Sequence, residues 1–235
     1  MDSTGKIVIF VLILTSIAAV SLTGLREATL SRSIQNEVVF NKRAILASVG
    51  NYLEKSPSQL SDDEVLQIFD EKMEQVVLNM TGEVQEGIKA EDVDLAKERK
   101  KPEEERMLPL YVYNSDKGKF YILSVRGNGL WDEIWGTIAL KDDKKTIAGA
   151  SFDHKGETPG LGAEIKDNPT FAVQFEGKQI YSNAGDYTGV VVRKGKAQDK
   201  TFEVDGITGA TVTSNGVTEM LVRGIAYYKP YLDKI

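Results

Sequence analysis

The chain has 235 residues, 41% of them hydrophobic and 27% charged, which suits one or two folded domains with a substantial core. Its formal net charge of −6 argues against a nucleic-acid partner, because phosphate binding needs clustered Lys and Arg. With no cysteine and only His154 as a histidine, disulfides, thiolate-held metal centres and a cysteine nucleophile are excluded, no metal site is expected, and any redox work requires an organic cofactor.

Residues 1–6 read as a short tail ahead of IVIFVLILTSIAAVSLTGL, residues 7–25, which is uncharged and closed by Arg26. As a helix rising about 1.5 Å per residue, this stretch spans roughly 28 Å, close to the hydrocarbon thickness of a bilayer. A cleaved signal peptide is the rival reading, with Ala19-Val20-Ser21 as the small-residue site. Its apolar core is usually only about 7–15 residues and its leading segment more basic, so an uncleaved anchor is preferred. Lys6 lies on one side of the span and Arg26, Arg32, Lys42 and Arg43 on the other, a count that weakly favours a cytoplasmic domain.

Residues 26–106 read as a helical stalk and a charged connection. The helix is expected to run off the anchor over 31–53. After the loop SPSQ, SDDEVLQIFDEKMEQVVLN predicts a second helix, with Ser61 and Glu64 as a capping box and Leu66, Phe69, Met73 and Val76 on its core face. Dense mixed charge over 82–106 predicts a solvated, mobile connection or a surface helix.

Residues 107–235 read as the folded domain. LPLYVYN, FYILSVRG, IWGTIAL and IAGASF are short, β-branched and aromatic stretches separated by turn signals, and they predict an antiparallel meander. A loop, HKGETPGLG, and a short helix near 168–176 follow. Further strands are expected at GVVVRKG and TFEVDG, then a final helix from about Ser214 with Val217, Met220, Leu221, Ile225 and Tyr228 on its apolar side. The fold class is α+β: a transmembrane helix, then a domain with a mainly antiparallel sheet and flanking helices.

Three stretches invite chemistry. DGITGATVTS, residues 205–214, sets four hydroxyls around Gly209 and Ala210 just ahead of a helix, whose unpaired N–H groups suit a phosphate. No Lys-Ser/Thr follows the glycines, so it is not a Walker loop. The plain alternative is a turn in which Thr213 or Ser214 caps the helix. HKGETPGLG, residues 154–162, places Pro159-Gly160 for a type II turn, with Glu157 and Thr158 at its entry. Such a loop brings backbone N–H groups and Leu161 against a flat ring, or is simply a tight turn. GNGLW, residues 127–131, is weak alone, and Trp131 fits a core position equally well.

Taken together, these stretches resemble the FMN-binding domain family. In that family the flavin phosphate is esterified to a threonine in the pattern Asp, two variable residues, Ser/Thr, Gly, Ala, Thr, here Asp205-Gly206-Ile207-Thr208-Gly209-Ala210-Thr211. Thr208 stands where the family usually has Ser. The resemblance implies covalent FMN on Thr211, with Asp205, Thr208, Gly209 and Ala210 completing the element that a flavin transferase recognises. It also implies that Glu157, Thr158, Gly160, Leu161 and Gly162 lie against the isoalloxazine, with Leu130 and Trp131 nearby, and that no residue is catalytic in its own right.

GLW, the anchor and the overall length look most like the C-subunit family of Na+-translocating NADH:quinone oxidoreductases. That implies an electron carrier among partner subunits that handle NADH and quinone. It also implies a single-pass protein of the bacterial cytoplasmic (inner) membrane with a periplasmic or extracytoplasmic domain, against the charge count. The G subunits of Rnf ferredoxin:NAD+ complexes share the attachment motif, and a non-redox, membrane-anchored binding domain stays open as a third reading.

Overall fold

A computed structural model describes residues 3–235, so Met1 and Asp2 of the expected tail lie outside the described residues. The chain divides into two compact units, residues 1–41 and 42–235. Helix α1, Ser3–Ala47, is continuous across that division. In the first unit its apolar side chains, among them Ile7, Phe10, Leu14 and Leu22, are exposed, and the helix is long and apolar enough to cross a membrane. Thr15, within the apolar run, returns its hydroxyl to the Val11 carbonyl four residues back at 2.9 Å, so that hydroxyl needs no water there. These features fit a single-pass anchor.

The second unit begins with the last turns of α1. Arg43 donates to the carbonyls of Pro57 and Leu60 at 2.5 and 2.6 Å and pairs with Asp62 at 2.8 Å. Helix α2, Asp62–Lys72, opens with the expected capping box: Ser61 Oγ accepts from Glu64 N, and Glu64 Oε2 accepts from Ser61 N. It ends sooner than expected. Met73–Asn79 is strand β1, paired antiparallel from Met73 opposite Tyr113 to Asn79 opposite Met107, so Met73 and Val76 are strand residues and not part of a helical face. Val76, Val77 and Leu78 are all buried. A short apolar run covered on both sides has no period to separate helix from strand, and sheet pairing decided it.

Residues 82–106 also depart from expectation. They pack as short turns and helix α3, Leu95–Glu98, with Ala90 buried. Glu98, also buried, accepts from Met107 N at 2.9 Å and Lys101 Nζ at 2.8 Å. Arg99 donates to the Gly127 carbonyl at 3.1 Å and Arg106 to the carbonyls of Lys101 and Arg99. The segment is held by charge-assisted bonds rather than by apolar area, which composition alone does not reveal.

The meander is as expected: β2 (Met107–Ser115), β3 (Gly118–Asn128), β4 (Glu133–Leu140) and β5 (Ile147–His154) extend β1 into a five-stranded antiparallel sheet in sequence order. The sheet thus takes its first strand from ahead of residue 107. Helices α4 (Glu164–Asp167) and α5 (Pro169–Val173) follow, and Phe171 and Phe175 pack on Phe152. Strands β6 (Val191–Arg193) and β7 (Glu203–Asp205) form a separate pair that is parallel, unlike the main sheet.

Helix α6 (Thr211–Ala226) then crosses the sheet on β3, and α7 (Lys229–Leu232) ends the fold. Val217, Met220, Leu221 and Ile225 of α6 enter the core with Tyr228, as their spacing predicts. The crossing is close because glycines line it. A Cβ on Gly216 would overlap the Asn128 carbonyl, and one on Gly127 would meet Met220. Gly216→Ala is therefore expected to destabilise by about 1–3 kcal/mol through overpacking, although helix propensity alone would stabilise by about 1 kcal/mol. Urea midpoints read the sign, and a stabilised variant would refute the close crossing.

Candidate functional site

Strand β7 delivers Asp205 to the start of the motif turn. Its carboxylate is held below the usual carboxylate range, first by the Lys196 ammonium at 2.7 Å and then by the Ala197 N–H at 2.8 Å. Ala210 N donates to the Ile207 carbonyl at 3.1 Å across a turn with Gly209 at φ +79°, a conformation that favours glycine. Leu161 lies over Gly209, in space that a Cβ would fill.

Helix α6 starts at Thr211, three residues earlier than Ser214. Its N-cap is Ala210, and no side chain caps it. The plain capping reading for Thr213 or Ser214 is thereby corrected: both are buried inside the first turn. Ser214 Oγ accepts from Ile207 N at 3.3 Å, which ties the turn to the helix. Thr211 and Val212 face solvent.

The TPG turn forms as its residues predict. Leu161 N donates to the Thr158 carbonyl at 3.1 Å, with Gly160 at φ +73° in the third position of a type II turn. Behind it sits Glu157, only 5% exposed. One carboxylate oxygen accepts from Trp131 N at 2.9 Å and the other from Thr213 Oγ1 at 2.5 Å. Glu157 N in turn donates to His154 Nδ1 at 3.2 Å, so the lone histidine, the last residue of β5, serves the loop that follows it with that nitrogen as acceptor.

One carboxylate therefore joins the GLW loop, the TPG loop and α6. Gly129 and Gly162 press against it so closely that a Cβ on either would overlap its oxygens. Trp131 Nε1 adds a bond to Thr158 Oγ1 at 3.0 Å, yet the indole is 69% exposed. A tryptophan fixed at both its backbone and its ring nitrogen, with its ring left open, offers a stacking face rather than core packing. Leu130, Leu161 and Val212 are exposed apolar side chains on the same three elements.

The comparisons with known proteins agree. The FMN-binding domain family matches residues 129–226. The C subunit of the Na+-translocating NADH-quinone reductase of Pseudomonas aeruginosa is 32% identical over 94% of this chain and 90% of its own length. Its counterpart in Neisseria meningitidis serogroup A is 32% identical over 95% and 90%. The crystal structure of the C subunit from Parabacteroides distasonis superposes with a TM-score of 0.75 at 38% identity, over 86% of this chain and 96% of that one. This chain belongs to the C-subunit family of Na+-translocating NADH-quinone reductases.

As a member of that family, the chain places its motif residues in two layers. Leu130, Trp131, Thr158, Gly160, Leu161, Thr208, Gly209 and Thr211 are exposed. Glu157, Gly162 and Ala210 are buried behind them, so Glu157 meets Trp131 and Thr213 where a contact with a flat ring was expected. Gly160 and Thr208 also line one cleft of about 290 Å³, with Glu164 and Gln174 on its wall. Sequence reasoning missed Thr213 as a strut and Val212 as part of the apolar surface. Thr213 carried no signal, since its partner lies 56 residues away.

The residues fit a flavin phosphate and ring. Thr211 heads an uncapped helix whose first N–H groups suit negative charge, beside an exposed indole and aliphatic side chains.

Proposed function

We propose that this chain carries FMN through a phosphoester on Thr211 and relays electrons between partner subunits of a Na+-translocating NADH–quinone reductase. The observation that carries the reading is the placement of Thr211: exposed, first in α6, at a helix end without a capping side chain. Esterification there leaves a singly charged diester beside the helix amino terminus, a favourable site for negative charge. FMN, when bound, supplies the electron-accepting ring, and the chain tunes it only by packing and hydrogen bonds.

The residues of the chain have separable parts in this reading. Trp131, Leu130 and Leu161 offer the ring an apolar face. Glu157 positions the Trp131 backbone and, through Thr213, the first turn of α6. Asp205, with its turn, forms the element that a flavin transferase reads. A covalent tether prevents loss by dissociation, which suits a carrier that meets its partners repeatedly. In keeping with the family resemblance, the domain lies outside the bacterial cytoplasmic membrane, with α1 as its single span and NADH and quinone handled by other subunits.

Mass spectrometry of the chain from its native membrane tests the reading. The expected mass exceeds that of the polypeptide by one FMN less one water, and the increment maps to the peptide containing Thr211. A native chain no heavier than its amino acids would overturn it.

A further inference from the structure

A second cavity, of about 230 Å³, lies against α6 and β3 and is lined by Arg99, Arg106, Arg126 and Arg223, with Glu219 on the wall. Four guanidinium groups at one cavity are a local inversion of charge in a chain of net −6. They share two carboxylates. Glu133 takes Arg126 at 2.7 Å and Arg99 at 3.4 Å, and Glu103 takes Arg223 at 2.9 Å and Arg106 at 3.8 Å. Even with Glu219 counted, one positive charge is left over. Both shared carboxylates are held below the usual range, Glu133 chiefly by Arg126 and Glu103 chiefly by Arg223.

The hydrogen bonds leave the same surplus. Arg126 is fixed by Glu133 and by the face of Trp135, 4.7 Å from the ring centre, yet its Nε is buried with no acceptor. That nitrogen is closed to solvent, so an outside acceptor would meet Arg126 through its terminal nitrogens, of which one is taken by Glu133. Arg223 spends Nε on the Tyr227 hydroxyl at 2.5 Å and one terminal nitrogen on Glu103.

We infer that this cavity binds a small soluble oxyanion, a phosphate or carboxylate group free or at the end of a larger molecule. Guanidinium forks match the paired oxygens of both groups, which a single ammonium does not. The volume exceeds the roughly 30 Å³ share of one water several times over. Met220 is the one aliphatic side chain on the wall, so no surface there receives an acyl chain. The site is separate from Thr211. At about 100° per residue, Glu219, Met220 and Arg223 lie on α6 positions turned roughly 80–180° from it and about two to three turns further on.

The test is calorimetric titration of the full, flavin-loaded chain with inorganic phosphate and, separately, with succinate, at constant ionic strength set with chloride. One saturable site per chain is expected. Arg223→Gln, on a half-exposed side chain, weakens it at least tenfold, while Glu219→Gln tightens it several-fold by removing a like charge. A structural role for the arginines does not produce that tightening. Flavin content and melting temperature of both variants stay at the parent values, which keeps this result independent of the attachment reading. Absence of saturable binding by both probes, or affinities unmoved by both substitutions, overturns the proposal. So does binding to phosphatidylglycerol vesicles without binding of free phosphate, which would make the site one for lipid.

Discussion

Thr211→Ala is expected to yield a folded chain with no covalent flavin at all. The side chain is exposed and caps nothing, because the N-cap position is Ala210 and carries no capping hydrogen bond. An exposed substitution of this kind changes stability by no more than about 0.5 kcal/mol. The flavin band on a denaturing gel should nevertheless vanish in protein made with its transferase. His154→Ala should keep the band, since its Nδ1 meets only the Glu157 N–H. Thr213→Ala should keep it too while lowering stability, because that hydroxyl serves the buried Glu157. A flavin band that survives in Thr211→Ala places the ester elsewhere and removes the basis of the attachment reading.

Glu157→Ala should be the most destabilising single change at the site. Its two oxygens hold the Trp131 N–H and the Thr213 hydroxyl. Hydrogen bonds to a charged group contribute about 1.5–3 kcal/mol each, and donors left buried without an acceptor add a penalty. A loss of about 3–6 kcal/mol by urea unfolding is expected, together with release of the GLW loop. Time-resolved anisotropy of Trp131 in a Trp135→Phe background reads that release directly. Glu157→Gln keeps the shape, its amide oxygen accepting from Trp131 N and its NH2 donating to the Thr213 hydroxyl, so it should recover more than half of the loss. A Glu157→Ala chain as stable as the parent would show that the carboxylate is not a strut.

These two residues also differ in how much of their structural setting could be read from the sequence. The role expected of Thr211 came from a contiguous pattern, and the local physics of that pattern survives folding: a turn with glycine at positive φ, then a helix start. Glu157 was singled out by the same loop motif but placed against the ring, and the fold turned it inward. Nothing within HKGETPGLG reports that Thr213 and the Trp131 N–H would arrive behind it. The four arginines show the same limit. They are dispersed at 99, 106, 126 and 223 in an acidic chain, so no window of sequence displays them as a group.

Where the energy was local, the residues sufficed. The uncharged run at 7–25, the Ser61 and Glu64 capping box, the β-branched and aromatic meander and the Pro159-Gly160 turn each satisfy their own backbone within a few residues or with the next strand. Tertiary structure decided the rest. It moved 73–79 from helix to strand, because a run buried on both sides takes whichever backbone partner the sheet offers. It docked 82–106 through Glu98, Arg99 and Arg106, whose charge-assisted bonds have no periodicity to read. It also drew three loops onto one buried carboxylate, a contact fixed by distance in space and not by spacing along the chain.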